Sequence, residues 1–373
     1  MRILVGRQPN QHFSSARRPF VISGAVRLLV LLFSFSVQPT FADNTTLKFK
    51  HMVVLGDSLS DQGNLFFATT DLGQAFGLPP IPAADHYYMG RFSNGENYAG
   101  LLAQKLGLTL TPSELGGDNY AFGGARTDYN RAEYRPGVPP PLPNGVYPIG
   151  AYPWSLDLER EAFLSDAKRH ADPKGLYVVF SGSNDLSDAL TALVFLHQDP
   201  TATIAKAVQG IKNVITAFET AGARTVLVPN IPNLGVVPSV TRFGPVVSGL
   251  ATALSQQFNA ALAAMLTTVT GTNVIAFDTY SFLNDVVVHP GDYGLSNVTQ
   301  PCYSGFVDPD PNGTVCAEPD KYAFWDIEHP TTRFHAILAD ELYTSVLRCV
   351  AARENDTNSA SGRFTSRCAV NAP

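Results

Sequence analysis

Basic clusters are missing from this chain of 373 residues: 26 lysines and arginines are scattered against 32 acids, a formal balance of −6, with no basic run. Nucleic acid and anionic membrane surfaces are held by concentrated positive charge, so neither is expected as a tightly bound partner. Brief contact with lipid needs apolar surface rather than charge and stays open. The four cysteines show no double Cys-x-x-Cys spacing, which argues against a structural zinc site, and no metal is expected. There is no internal repeat, no low-complexity block and no linker that forces a split into domains. The uninterrupted apolar stretch 28–33 is far shorter than the ~20 residues of a spanning helix.

What is present begins with a leader. Arg17 and Arg18 precede an apolar run over 20–37, and Pro39-Thr40-Phe41-Ala42 offers small residues where a signal peptidase reads. Residues 1–42 are therefore expected to be a signal peptide cleaved after Ala42, with an uncleaved membrane anchor as the alternative. Those residues hold five arginines and no acid, so their loss leaves 21 basic residues against 32 acids, a balance of −11. The expected location is extracellular or periplasmic, without a stable membrane anchor. Cys302, Cys316, Cys349 and Cys368 form an even set in such a chain, and proximity favours Cys302–Cys316 and Cys349–Cys368 among three possible connectivities. The remainder divides into one domain over 43–352 and a tail over 353–373 tied by the second disulfide.

Apolar runs with a strand signature occur at 51–55, 176–180, 225–228 and 273–277. Runs rich in Val and Ile read as strands of a parallel sheet buried on both faces. Helical patterns fall between them at 97–106, 154–170, 202–221, 246–268 and 331–351, with Gly222 and Gly271 as stops. The alternation predicts an α/β fold, a three-layer αβα sandwich with right-handed crossovers. Such sheets build sites in loops beyond the carboxyl ends of the strands, where Ser58 and Asn184 are expected to lie.

Four segments carry chemistry: Gly56-Asp57-Ser58-Leu59, Gly123-Gly124, Gly182-Ser183-Asn184-Asp185 and Asp326-Ile327-Glu328-His329-Pro330. A serine hydroxyl attacks only when a base takes its proton. Val53-Val54-Leu55 delivers Ser58 to a strand end, and no Gly-x-Ser-x-Gly elbow exists, which counts against the α/β-hydrolase arrangement. Helix capping by Asp57 or Ser58 is the plain alternative. Two histidines have a nearby acid before a proline: His289 with Asp285, and His329 with Asp326. A separation of three in a turn lets a carboxylate hold one ring nitrogen and stabilise the imidazolium, so His329 with Asp326 is preferred. Glu328 is a lesser rival, because adjacent side chains diverge. An anionic intermediate needs aimed donors. The Ser58 N–H, an N–H of the Gly123-Gly124 turn and the Asn184 amide are available; ordinary turns are the plain reading of the last two.

At these residues the sequence resembles the GDSL esterases and lipases, or SGNH hydrolases. The matching blocks are Val54-Leu55-Gly56-Asp57-Ser58-Leu59-Ser60-Asp61-Gln62-Gly63-Asn64, Asn119-Tyr120-Ala121-Phe122-Gly123-Gly124-Ala125, Gly182-Ser183-Asn184-Asp185 and Trp325-Asp326-Ile327-Glu328-His329-Pro330-Thr331. Gly90-Arg91-Phe92-Ser93-Asn94-Gly95 is similar to a segment of the bacterial and plant branch. The resemblance implies a flavodoxin-like fold, no cofactor, and hydrolysis of carboxylic esters or lipids through an acyl-enzyme. It makes Ser58 the nucleophile, His329 the base, Asp326 its partner, and Ser58, Gly124 and Asn184 the oxyanion donors, Gly124 chosen over Gly123 by the residues that follow it. An acyltransferase or polysaccharide deacetylase using the same site is the alternative, and a secreted binding protein without catalysis a remoter one. Phe66, Phe67, Tyr87, Tyr88, Phe92 and Phe122 suit a sugar or an acyl chain, with core packing as their ordinary role. The stretches 73–89 and 127–153 are expected to shape the cleft.

Overall fold

The computed structural model describes residues 49–76, 79–128, 155–358 and 367–370. Along the chain run β1 (Met52–Gly56), α1 (Asn64–Phe76), α2 (Tyr98–Lys105), α3 (Leu156–Asp166), β2 (Leu176–Phe180), α4 (Ser183–Leu196), α5 (Thr201–Ala221) and β3 (Thr225–Pro229). There follow α6 (Pro238–Thr241), α7 (Pro245–Leu266), β4 (Asn273–Phe277), α8 (Thr279–Val288), β5 (Asn297–Pro301), β6 (Tyr322–Phe324), α9 (Thr332–Asn358) and β7 (Arg367–Val370).

The central sheet has the order β1-β2-β3-β4-β7, parallel throughout. The outer edge of β1 is also occupied. Val54 donates its N–H to the Asp118 carbonyl at 3.0 Å and accepts from Tyr120 at 2.8 Å, around a parallel bridge to Asn119. With that segment counted, the chain's second pass lies outside its first, which is flavodoxin-like order. The topological switch point, where ligands bind in such sheets, falls at the carboxyl end of β1.

Period-two alternation in the strands builds both outer layers. Val53, Leu55, Tyr177, Val179, Val226 and Val228 point to one face and pack with residues of α3, α5 and α7. Met52, Val54, Leu176, Val178, Phe180 and Leu227 point to the other, against α2, α8 and α9. The expected αβα sandwich is therefore the observed one.

The four strand readings match within one residue at each end. Besides the single turn α6, three helices lie outside the expected set. In α1 the pattern is obscured by two threonines and Gly73, and the helix is started by Asp61, which accepts from the Gly63 and Asn64 N–H groups. In α8, Asp278 caps through the Ser281 N–H at 3.1 Å. The third, α4, starts directly after Gly182 (φ 124°), so Asn184 stands in a first helical turn rather than on a loop. Its Asn-Asp pair gives a turn signal that the helix overrides. Gly222 does end α5, in a left-handed conformation with φ 111°.

At the carboxyl end α9 continues to Asn358, past the expected boundary at 352, and β7 pairs with β4. Cys302–Cys316 is a disulfide. Cys349 is also disulfide-bonded, while the side chain of Cys368 lies outside the described residues. The expected signal peptide and most of 127–153 lie outside them as well.

Candidate active site

β1 carries Ser58 to the switch point. Beyond Gly56 the chain turns sharply: the Asp57 carbonyl accepts from Ser60 and Asp61 at 2.9 and 3.0 Å, and the Asp57 carboxyl accepts from the Leu59 N–H at 3.1 Å. That carboxyl is buried away from solvent, which pushes its pKa up to about 7. A side chain at Gly56 would overlap the Phe180 carbonyl of the neighbouring strand, so the turn needs glycine there.

The glycine segment is held against the serine segment by Asp61. Its Oδ1 caps α1 and its Oδ2 accepts the Gly123 N–H at 2.8 Å. The Gly123 donor is thereby consumed. The Gly124 N–H has no hydrogen-bond partner among the described residues, and its φ of 74° suits glycine. Asn64 completes the junction, donating to the Asn119 and Ala121 carbonyls at 2.8 and 2.9 Å.

The first two turns of α4 hold the other end of the glycine segment. Asn184 Nδ2 donates to the Ala125 carbonyl at 3.0 Å, leaving its second N–H for a ligand. Asp185 accepts from the Thr127 hydroxyl at 2.9 Å, and Asp188 makes a two-pronged ion pair with Arg126 at 2.8 and 2.7 Å. These three contacts fasten Ala125, Arg126 and Thr127 in sequence.

His329 meets Ser58 from the far end of the chain. Its Nε2 lies 3.0 Å from the Ser58 Oγ, and its Nδ1 lies 2.8 Å from Asp326 Oδ2. Nδ1 donating to the carboxylate leaves Nε2 as the acceptor that faces the hydroxyl. Asp326 is fully buried yet well supplied with donors: the Glu328 and His329 N–H groups, each at 2.7 Å, and the Tyr87 hydroxyl at 2.6 Å. Burial works to raise its pKa, but the His329 charge and these hydrogen bonds outweigh it and hold the acid below its ordinary value. For His329, burial works to lower the pKa and Asp326 outweighs it, so the imidazole sits above its ordinary value. Phe92 and Phe306 flank the ring, with centroids 5.0 and 5.9 Å away.

The histidine loop is anchored on both sides. Ser93 donates to the Pro330 carbonyl at 2.9 Å, and Asn94 accepts the Thr332 N–H at 2.8 Å. Cys302 and Tyr303 donate to the Phe324 and Trp325 carbonyls at 3.0 and 2.6 Å, so the 302–316 disulfide loop braces the chain just before Asp326.

The rival His289 does pair with Asp285, at 2.9 Å, and Tyr293 also donates to that carboxylate. His289 is 55% exposed, however, and no serine hydroxyl is bonded to it among the described residues. Glu328 contributes its N–H to Asp326, not its carboxylate to His329. Sequence reasoning assigned no role to Asp61 or Glu159 and saw Tyr87 only as an aromatic. An acid three residues before a helix start was a capping signal for Asp61; nothing local marks Tyr87 or Glu159.

Ser58, Asn184 and His329 open on a cleft of about 890 Å³, its mouth included. Leu59, Phe180, Leu234, Val240, Phe324 and Leu338 line its walls, with no lysine or arginine among the described lining residues. Among the described residues no group of three metal-ligating side chains occurs, and no helix is long and apolar enough to cross a membrane.

The model of the family described as GDSL-like lipase/acylhydrolase matches residues 52–342. Two GDSL esterase/lipases of Arabidopsis thaliana are similar to the chain. One is 27% identical over 326 residues, covering 79% of this chain and 85% of the relative, and the other 25% over 335 residues, covering 78% and 85%. Among solved structures, an acetylxylan esterase from Geobacillus stearothermophilus aligns with a TM-score of 0.38 at 12% identity, over 79% of this chain and 93% of that one.

Proposed function

The chain belongs to the family of GDSL-like lipases and acylhydrolases and is a serine ester hydrolase; from that premise we propose that Ser58, His329 and Asp326 are its catalytic triad. The observation that carries the proposal is the continuous path from Ser58 Oγ to His329 Nε2 at 3.0 Å and from Nδ1 to Asp326 at 2.8 Å. Ser58 Oγ attacks the ester carbonyl while its proton passes to Nε2. The resulting oxyanion is met by the Ser58 and Gly124 N–H groups and the Asn184 amide. His329 returns the proton to the leaving alcohol, and a water activated by the same nitrogen then clears the acyl group from Ser58.

The apolar cleft walls suit the acyl chain of a neutral ester. Among the described lining residues no lysine or arginine stands to pair with a charged phosphate or carboxylate. Cleavage after Ala42 and export fit the disulfides, which persist in oxidising compartments.

Turnover of p-nitrophenyl esters from acetyl to palmitoyl by the chain from residue 43, beside Ser58→Ala, tests the reading. The expected result is a loss of at least roughly 10³-fold in the variant, with its fold intact by circular dichroism. Wild-type rates should rise with acyl length until the cleft is filled. Undiminished turnover by Ser58→Ala would overturn the assignment, and activity on acetyl esters alone would shift the substrate to small acyl groups such as those on polysaccharides.

A further inference from the structure

A buried acid that takes no part in the mechanism above stands where the nucleophile strand and the glycine segment meet. Glu159, in the first turn of α3, is 1% exposed. Its Oε2 accepts the N–H of Gly56 at 2.8 Å, two residues before Ser58. The N–H of Phe122, two residues before Gly124, also bonds to this carboxyl. One side chain thus ties together the two backbone segments that supply Ser58 and the Gly124 N–H. We propose that Glu159 is a positioning residue, which as a neutral carboxylic acid fixes the distance between the nucleophile and the oxyanion donors.

Neutrality follows from the surroundings. Oε1 is buried with no hydrogen-bond partner among the described residues, and no lysine or arginine is bonded to the carboxyl. A charged oxygen left unpaired in such a place would cost several kcal/mol. Burial, helped by the nearby Asp57 and Asp61, drives the proton onto the acid. The consequence is chemical as well as structural. A carboxylate at this point would add a negative charge behind the two segments that carry the oxyanion donors, whereas the protonated acid accepts the two N–H bonds without that charge.

The anchoring is also specific to α3. The first residue of that helix is bonded to the end of the glycine segment, the Leu156 N–H donating to the Arg126 carbonyl at 2.8 Å. Asp61 holds Gly123 from the serine side, and Glu159 holds Phe122 from the helix side. Losing Glu159 leaves the Phe122 N–H only its longer bond to the Gly56 carbonyl at 3.2 Å, and losing Asp61 leaves the Gly123 N–H without its acceptor.

The test is kcat and KM of Glu159→Ala, Glu159→Gln and Glu159→Asp on a p-nitrophenyl ester, per active site counted with a serine-directed phosphonate. Misplacing a donor by a fraction of an ångström lowers turnover about tenfold to a hundredfold. Glu159→Ala should lose that much kcat with KM unchanged. Glu159→Gln, neutral and of the same length, should stay within about threefold of wild type, and Glu159→Asp, one methylene short, should fall with the alanine variant. If Glu159→Ala does not fold, the Gln and Asp variants decide alone. Unchanged kcat in Glu159→Ala or Glu159→Asp would make the residue a matter of stability only and overturn the inference; so would a Gln variant as impaired as Asp. The inference rests on the roles proposed for Ser58 and Gly124, and a failure there shows separately as turnover by Ser58→Ala.

Discussion

The Tyr87 hydroxyl donates to Oδ2 of Asp326 across 2.6 Å, joining residues 239 positions apart. That oxygen is also the one nearest His329 Nδ1. Tyr87 is buried, and burial together with Asp326 raises its pKa, so it remains a donor at any pH of interest. Asp326 therefore reaches His329 already oriented by a neighbour from the segment between α1 and α2.

Tyr87→Phe removes this donor and nothing else of size. A hydrogen bond to a charged acceptor contributes about 1.5–3 kcal/mol, so kcat should fall roughly tenfold or more while the fold persists. Asp326, relieved of Tyr87, should bind the imidazolium more strongly, moving the acid limb of kcat/KM to higher pH. Unaltered kcat and limb would reduce Tyr87 to packing against Tyr303 and Phe92.

The pH profile of the wild type follows from His329. Its pKa in the fold lies above 6.5 because Asp326 outweighs burial, and only the neutral ring can accept the Ser58 proton. Hence kcat/KM should rise with pH through an inflection above 6.5. In Asp326→Asn, burial is opposed only by the weaker pull of Glu328 and Asp57 and the inflection should move down, while turnover at neutral pH falls by roughly 10³–10⁴. An inflection that stays in place in the variant would point to another titrating group.

Asp57 gives a stability prediction of definite sign. Its pKa in the fold is about 7 against an ordinary 3.8, so the fold binds this proton more tightly than the unfolded chain does. Its contribution is complete below about pH 4 and is lost as pH rises through about 7. Asp61 and Asp185, pushed up to about 6 by burial, act in the same direction. Tm should therefore fall between pH 5 and pH 8, and Asp57→Asn, which keeps the acceptor for Leu59, should flatten that fall. Because His335, pushed down to about 3 by burial, acts in the opposite direction below about pH 6.5, the comparison with the variant decides: an Asp57→Asn profile parallel to that of the wild type would show that Asp57 is ionised throughout.

The Cys302–Cys316 disulfide closes a loop of sequence separation 14 whose backbone braces Phe324 and Trp325. Replacing both cysteines by serine should cost about 3 kcal/mol of stability by loop-closure entropy. It should also lower kcat at temperatures well below Tm, because Asp326 follows the braced strand. Denaturant unfolding and kcat on the same sample check both parts; a stability loss without a kcat change would confine the disulfide to the fold.

Where sequence reasoning held, the signal was local. The strands at Leu176–Phe180 and Asn273–Phe277 were legible because runs of Val, Ile and Phe admit few other structures at that length. Asp326 and His329 were legible as a pair because three residues of turn bring carboxylate and ring together whatever the rest of the chain does. The helix at Ser183–Leu196 was missed because its first residues spell a turn, and its packing against α5 and α7 overrides that preference. The choice of Gly124 over Gly123 rested on a resemblance; in the fold the Gly123 N–H is bonded to Asp61.

By itself the sequence determined which reactive groups exist, their order along the chain, and the two short-range arrangements, a strand ending in Gly56-Asp57-Ser58 and a turn from Asp326 to His329. Covalent geometry limits what residues so close can do, so composition and spacing suffice. Only the tertiary structure decided that Tyr87 orients Asp326, that Asp61 engages the Gly123 donor, and that Glu159 ties β1 to the glycine segment, contacts spanning 239, 62 and 103 positions. Such contacts depend on strand order and on which helix covers which face. The burial that follows from that packing, and not the identity of the residues, sets which acids keep their protons.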